Sequence, residues 1–322
     1  MNNIDKNNLN KEPTKSSIEY PLISIVIPTY NRVKMLKDLI ESIKQSSYPS
    51  EKIEIIVVDD NSSDGTSDFI TSFFPEIVLV RNKRNMLQSY GRQIGMSKSN
   101  GEFILFIDDD NVIDRSMLGK LITFMENNMK CGICSPLMLY HNSDLIWFAG
   151  SKRNMYTGLT KYLFHKDKIS QTELPECIET DDAPNCFIVR KRLVDELKVE
   201  FDYQTFPRRY EESDFIYKIR KAGYSAICFT MAIEWHKIRD IKMQGFESED
   251  RVYNYGRSRV LFHYKYSSNL EFLIFSLFFN PLIAIFYVWQ FFFHFHSMHS
   301  LKMIKSYFRG LLHAYLKIMK VD

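Results

Sequence analysis

Apolar runs and amphipathic stretches alternate through the first 110 residues. Leu22 to Ile27 is a β-branched run stopped by Pro28, the pattern of a buried strand entering a loop. Residues 34–46 place Met35, Leu36, Leu39, Ile40 and Ile43 on one helical face. Ile53 to Val58 is a second buried strand, closed by Asp59, Asp60 and Asn61. Turn chemistry at Ser63 to Thr66 opens a helix over 67–74, and Ile77 to Val80 is a third strand. Residues 86–98 read as a helix, and Glu102 to Ile107 as a fourth strand that runs into three aspartates.

Alternating strands and helices imply a largely parallel sheet with helices on both faces. Ligands of such sheets bind beyond the carboxyl ends of the strands. Polar clusters sit there: Thr29, Tyr30 and Asn31 after the first strand, Asp59 and Asp60 after the second, Asp108 to Asp110 after the fourth. Beyond residue 130 the rhythm loosens. Cys131 to Leu139 reads as a strand, 141–180 as irregular, 185–198 as a strand and short helix, and 210–222 as a helix ended by Gly223.

Three carboxylates at a strand end repel one another unless a cation sits among them. Hard oxygen ligands suit Mg2+ or Mn2+. Positions i and i+2 reach one site, which pairs Asp108 with Asp110; a solvated acidic turn capping the next helix is the competing reading. The acidic turn from Asp59 to Gly65 either accepts hydrogen bonds from a base and a ribose or is an ordinary Asx-turn and N-cap. Glu211, Glu212 and Asp214 open a helix, where the helix dipole favours acids; the functional alternative is a general base for an acceptor hydroxyl. Trp235 and His236 follow an apolar stretch, and a lone His is more often structural than a ligand. The Cys131-Gly-Ile-Cys134 pair has no second pair nearby and reads as strand packing.

The segments Ser24-Ile-Val-Ile-Pro-Thr-Tyr-Asn31, Val57-Val-Asp-Asp-Asn-Ser-Ser-Asp-Gly-Thr66 and Gly101-Glu-Phe-Ile-Leu-Phe-Ile-Asp-Asp-Asp110 resemble family 2 glycosyltransferases over about residues 21–245. The resemblance implies the GT-A fold, an α/β Rossmann-like sandwich around a nucleotide-sugar crevice. It points to inverting enzymes of the rhamnosyl- or galactofuranosyltransferase kind. It puts Thr29, Tyr30, Asn31, Asp60, Arg92, Asp108 and Asp109 at the nucleotide sugar, and Asp108, Asp110 and His236 on a Mg2+ or Mn2+ ion. The family usually has Arg-Asn where this chain has Arg92-Gln93. The acidic motif of the family, commonly E-D-x-D, or W-D-D-x-E in galactofuranosyltransferases, aligns with Tyr210 to Asp214. It makes Glu212 the base, with Glu211 beside it in the catalytic pair. Asp182, Asp214 and Trp235 fall to the acceptor side or wall of the site.

Phe272 to Phe293 is 22 residues without a charge, enough for a helix to cross the ~30 Å hydrocarbon core of a bilayer. Asn280-Pro281 in its middle leaves a re-entrant hairpin open, as does a buried core helix. Basic residues flank both ends and give no orientation. Residues 301–320 are amphipathic and basic, with Leu301, Ile304, Phe308, Leu312 and Tyr315 on one face. Such a helix meets anionic head groups or serves self-association into a homo-oligomer.

Composition adds little to this. The chain has 322 residues, 45% hydrophobic and 25% charged, with a net charge of +3 that gives no case for nucleic acid. Five cysteines without regular spacing do not make a disulfide framework, which favours a reducing, cytosolic setting. Residues 1–20 read as a polar, flexible tail without a signal-peptide core.

These patterns divide the chain into a tail at 1–20, a GT-A domain at 21–245 and a membrane-associated helical region at 246–322. The leading expectation is metal-dependent transfer of one sugar from a nucleotide-sugar donor to a lipid-linked or cell-surface glycan acceptor. A polyprenyl-phosphate carrier is one form of that acceptor, and the place is the cytoplasmic side of the cell membrane. The Q-x-x-R-W signature of processive synthases is absent. A sugar nucleotidyltransferase, or a non-catalytic glycan- or lipid-binding protein on the same fold, is the alternative.

Overall fold

The computed structural model describes residues 19–237, 248–294 and 297–320. Nearly all of the expected polar tail, and the boundary expected at 245/246, lie outside these residues. The chain opens with β1 (Ile23–Thr29), α1 (Val33–Lys44), β2 (Ile53–Asp59), α2 (Thr66–Phe73), β3 (Val78–Arg81), α3 (Gln88–Lys98) and β4 (Phe103–Ile107). This is the alternation read from the sequence, shifted by a residue or two at the ends. It continues with β5 (Asn111–Ile113), α4 (Met117–Asn127), β6 (Cys131–Tyr140), β7 (Ile146–Phe148), β8 (Ser151–Asn154), β9 (Leu159–Tyr162), β10 (Cys177–Glu179), β11 (Cys186–Arg190), α5 (Lys191–Leu197), α6 (Glu211–Lys221) and β12 (Ser225–His236). Much of the stretch expected to be irregular at 141–180 is therefore ordered. It contains the β8–β9 hairpin.

One mixed sheet runs β10-β12-β6-β11-β4-β1-β2-β3, with β5 on β12 and β7 on β6. Strands β4, β1, β2 and β3 are parallel, whereas β11 is antiparallel to both β4 and β6. Helices cover both faces. Ile23, Ile25 and Ile27 of β1 join Leu36, Leu39, Ile40 and the buried side of α4 in one core. Val26 joins Met96, Phe106, Phe215 and Ile216 in the other. The continuous apolar runs arise because both faces of each strand are buried. Cys131 and Cys134 are buried in β6, and all five cysteines are free.

Helix α3 lies unusually close to β1. A Cβ on Gly95 would meet Val26 Cγ1 at 2.3 Å, and one on Gly91 would meet Pro28 Cβ at 3.0 Å. The two glycines are one helical turn apart, so one face of α3 is smooth enough to pack flush. This close packing fixes Arg92, between them, under the strand ends.

The C-terminal region is α7 (Glu249–Tyr266), α8 (Asn269–Ile274), a π turn (Phe275–Phe279), α9 (Asn280–His294) and α10 (Ser297–Ile318). Asn269 to Phe293 is one continuous helix, so the chain does not turn back at Asn280-Pro281. Pro281 lacks an amide hydrogen and crowds the preceding turn, and the π turn just before it absorbs the mismatch. The helix is long and apolar enough to cross a membrane. Helices α7, α9 and α10 enclose a third core around Phe206, Phe262, Phe275, Phe291 and Tyr307. The apolar face read from the sequence is the outer side of α10: Leu301, Phe308 and Leu312 are exposed, while Met303, Tyr307, Leu311, Ala314 and Ile318 are buried. The period was right, but α10 carries two apolar stripes and the sequence does not say which meets α7.

Gly256 and Gly310 set the α7–α10 crossing. A Cβ on Gly310 would lie 2.1 Å from the Tyr253 carbonyl oxygen, and one on Gly256 would lie 2.7 Å from that of Tyr307. Gly310→Val forces the helices apart and lowers stability by about 1–3 kcal/mol, the cost of overpacking a fitted contact. Thermal melting followed by circular dichroism measures this; an unchanged midpoint would contradict the crossing.

Candidate active site

The strand ends and the first turn of α6 border a cleft of about 1040 Å3. Thr29, Tyr30, Asn31, Asp60, Asp108, Asp109, Asp110, Asp182, Glu211, Glu212 and His236, all singled out from sequence, line it. Arg92 is fully buried in the wall of this cleft and joins its parts. Its Nη2 donates to Asp108 at 2.6 Å and to Glu212 at 2.6 Å, and its Nη1 donates to Glu211 at 3.1 Å. Gln88 Nε2 donates to the same oxygen of Asp108 at 2.7 Å. Gln93, the departure from the family pattern, points away and accepts the Phe201 amide at 2.9 Å.

Arg32, which sequence reasoning missed, holds the other two aspartates. Its Nη1 donates to Asp109 at 2.9 Å and to Asp110 at 2.7 Å. Thr29 Oγ1 donates to Asp109 at 2.7 Å. Two guanidinium groups thus face five carboxylates, Asp108, Asp109, Asp110, Glu211 and Glu212. The excess negative charge shows in the proton affinities. Burial pushes Glu212 up to about 8 against the pull of Arg92, with Glu211 and Asp108 adding repulsion. Burial likewise raises Asp109 to about 7 despite Arg32. Asp110 goes the other way: although burial opposes it, His236 and Arg32 hold its carboxyl below the usual range.

Asp110 Oδ1 is buried, has no hydrogen bond, and lies 3.3 Å from His236 Nε2. Two ligands on one cation at ~2.1 Å each stand about 3 Å apart, so this facing pair fits a hard divalent ion. Among the described residues, no three His, Cys, Asp or Glu side chains form a ready metal cluster. Asp108 is turned to Arg92 rather than to Asp110. His236 packs edge-on to Trp147 at 4.6 Å between ring centroids, and Asn185 Nδ2 lies 3.0 Å from its Nε2.

Asn185 is a second residue that sequence reasoning missed. It has φ +67, its amide donates to Glu212 at 2.9 Å, and its carbonyl accepts the Asp108 amide at 3.0 Å. Pro184-Asn185 just before a strand is a turn signal, and Asn tolerates the left-handed region. Glu234 shares a strand face with His236, and burial raises its carboxyl to about 8. Asp60 combines both readings of its turn. It lines the cleft, but its carboxylate is committed to the Met86 and Leu87 amides at 2.7 and 2.8 Å and to Asn82.

Two expected wall residues do not line the cleft. Trp235 alternates with His236 along β12 and packs on the core behind it; Trp147 takes the aromatic place beside the histidine. Asp214 is fully buried and binds Lys218 at 2.7 Å, Lys265 at 2.7 Å and Tyr266 at 2.7 Å, tying α6 to α7. Asp214 stands two positions after Glu212, about half a turn round the helix, and faces away from the cleft. Asp182 does line the cleft and accepts Arg153 Nη2 at 2.6 Å and Ser213 Oγ at 2.8 Å.

The family model "Glycosyl transferase family 2" matches residues 24–198. The chain belongs to glycosyltransferase family 2. Residues 24–198 are therefore a family 2 glycosyltransferase domain. The poly(ribitol-phosphate) β-N-acetylglucosaminyltransferase TarS of Staphylococcus aureus is 29% identical over 115 residues, 33% of this chain and 19% of TarS. The GalNAc(5)-diNAcBac-PP-undecaprenol β-1,3-glucosyltransferase of Campylobacter jejuni is 33% identical over 110 residues, 33% of this chain and 34% of that protein. The matched stretch is thus about a fifth to a third of these relatives' length. The crystal structure of GalNAc-T7 with UDP, GalNAc and Mn2+ superposes with a TM-score of 0.58 at 19% identity, over 74% of this chain and 47% of that one. That likeness shows the fold, which is GT-A-like.

Asp214 belongs to the scaffold. Asp214→Ala strands Lys265 and Tyr266 and costs about 2–3 kcal/mol, less than a fully buried pair because Lys265 reaches solvent. Below the lowered melting temperature, nucleotide affinity stays at the wild-type value. A titration that shows nucleotide binding lost in a folded Asp214→Ala protein would return this residue to the site.

Proposed function

We propose that the chain is an inverting, divalent-metal-dependent glycosyltransferase that adds one sugar from a nucleotide-sugar donor to a lipid-linked or cell-surface glycan acceptor. The observation that carries this reading is the buried junction in which Arg92 joins Asp108 to Glu211 and Glu212. It supports placing a donor-side acid next to a candidate base in one cleft. Thr29, Tyr30, Asn31 and Asp60 border the nucleotide end. Asp108, Asp110 and His236 are the residues that would hold the cation. Bound there, Mg2+ or Mn2+ would offset the charge of the donor diphosphate. Mn2+ in the GalNAc-T7 structure supports a divalent ion of this kind.

Glu212 removes the proton from the acceptor hydroxyl. That oxygen bonds to the anomeric carbon from the face opposite the leaving group. The bond to the diphosphate oxygen breaks, and the electron pair leaves with the nucleoside diphosphate. The attack is a single displacement and inverts the anomeric centre. The raised proton affinity of Glu212 suits a base near neutral pH. Glu211 is more buried and shares Arg92, so it holds the guanidinium in place and sets the charge felt by Glu212.

Several features support work at a membrane. The outer face of the continuous helix exposes Leu273, Leu277, Leu282, Ile285, Phe286 and Trp289. Its inner face is tied to α10 along its length: Asn280 Nδ2 donates to Tyr315 at 3.1 Å, Tyr287 packs on Tyr307, and Ser300 Oγ donates to the Phe291 carbonyl at 2.9 Å. The helix α10 carries Lys302, Lys305, Arg309 and Lys317 at intervals, which is incompatible with crossing a bilayer alongside α9. The apolar helix therefore lies along the cytoplasmic membrane surface, with the exposed stripe of α10 beside it and its lysines at anionic head groups. The lipid-linked substrate in the name of the Campylobacter relative supports an acceptor held at such a surface.

Glu212→Gln lowers transfer by about 100-fold to 10,000-fold while nucleotide binding is retained. In the wild type the base must be ionised, so kcat/KM falls about tenfold per pH unit below about 8 and levels off above it. Nucleotide-release assays across pH test both statements, and transfer retained by Glu212→Gln would remove this residue from the role. In vesicle flotation, the wild type follows anionic vesicles in low salt, and Lys302→Glu with Lys305→Glu weakens that association. Equal recovery of both proteins, with and without vesicles, would count against the membrane reading.

A further inference from the structure

One end of the cleft is built from arginines that neither the donor nor the base accounts for. Arg153, Arg208, Arg209, Arg251 and Arg259 line it. Glu211 and Glu212 connect the two ends. They reach Asp108 through Arg92 on one side, and on the other Glu211 feels the charges of Arg208 and Arg209. Among the described residues, Asp182 meets Arg153 at 2.6 Å and Asp250 is 3.9 Å from Arg208. Like charges therefore crowd together, with Arg251 and Arg209 both acting against Arg208.

The guanidinium planes are fixed by rings. Arg153 stacks 4.9 Å from the centroid of Tyr210 and 4.7 Å from that of Phe262. Arg209 lies 4.4 Å over the ring of Tyr255, and Arg259 lies 5.2 Å over that of Tyr287 while its Nη2 donates to the Tyr287 hydroxyl at 2.9 Å. Stacking occupies the faces of a guanidinium and leaves its N–H edges for a planar, in-plane partner. Arg153 has such edges unused. Its side chain is 3% exposed, and Nε and Nη1 have no hydrogen-bond partner. Buried donors without a partner cost stability, and a ligand oxyanion satisfies them. A neutral sugar hydroxyl needs no such concentration of positive charge.

We infer that this arginine-lined end holds a phosphate or diphosphate ester carried by the acceptor, beside the hydroxyl that Glu212 deprotonates. The inference rests on the glycosyltransferase reading of the cleft and names the class of its acceptor. The surroundings favour a lipid as the carrier. Arg251, Tyr255 and Arg259 recur at helical spacing on one side of α7, whose Gly256 packs on α10. The tip of the β8–β9 hairpin, which supplies Arg153, packs against the apolar helix: a Cβ on Gly158 would meet Phe275 Cε2 at 2.5 Å. An anionic head group at this end sits where the apolar helices begin.

The test is equilibrium binding to the full-length chain by calorimetry, with citronellyl phosphate, glycerol 3-phosphate, inorganic phosphate and the uncharged alcohol citronellol as probes. Binding of a Mn2+-nucleoside diphosphate is measured in parallel. The expected result is that phosphate esters bind and citronellol does not, and that Arg153→Gln weakens phosphate-ester binding by about tenfold or more with nucleotide binding retained. Citronellyl phosphate binding more tightly than glycerol 3-phosphate identifies a lipid carrier; the reverse order identifies a water-soluble phosphate acceptor. Arg208→Gln, at a side chain 23% exposed, gives the same result if Arg153→Gln does not fold. Binding of inorganic phosphate alone, or esters bound equally by wild type and variants, overturns the inference. A wild type that binds no nucleotide overturns the glycosyltransferase site itself, which is a separate outcome.

Discussion

The site depends on one buried cation. Arg92 has no contact with water and three carboxylates around it, from two parts of the chain: Asp108 after β4, and Glu211 and Glu212 in the first turn of α6. A guanidinium without these partners would not remain buried, and the carboxylates without it would not stay together. The glycines on either side of Arg92 let α3 press on β1 closely enough to deliver it. Backbone packing and electrostatics are therefore one constraint. The helix can approach because it lacks side chains there, and it must approach because the acids need its charge.

The charge imbalance that remains is functional. Burial raises the proton affinities of Asp109 and Glu212, and Arg32 and Arg92 do not offset it against the repulsion of the neighbouring acids. Such a site is short of positive charge before ligands arrive. On the proposed reading, a cation bound there would favour the ionised form of Glu212, which would couple metal binding to proton transfer. At the other end of the cleft the imbalance reverses, with arginines in excess. A single crevice of opposite polarities orients a substrate end to end.

Much of the donor half was legible because strand-end chemistry is local. Thr29, Asp60 and Asp108 to Asp110 each follow a recognisable buried strand, and the fold places strand ends on one edge. Arg32 and Asn185 escaped because their roles come from partners 77 and 27 residues away. Nothing in their own neighbourhoods marks them beyond a turn. Asp214 and Trp235 were misplaced for the opposite reason. They adjoin site residues in sequence, but helix and strand periodicity turns them to the other face. The arginine end was invisible because its members come from a hairpin, a left-handed turn and a late helix that share no motif. In α10 the amphipathic period was readable, but the face that packs was decided by Gly256 and Gly310.

The family match ends at residue 198, before Glu211, Glu212, His236 and every arginine of α7. Asp108, Arg153 and Asp182 fall inside that match and Glu212, His236 and the α7 arginines outside it, so each end of the cleft draws on both stretches of chain. The stretch after α5 holds α6, the C-terminal helices and β12, which is built into the sheet between β10 and β6. Exchange of the segment after α5 between relatives would therefore carry Glu212 and His236 along with the arginines of α7, and would leave Arg153 behind.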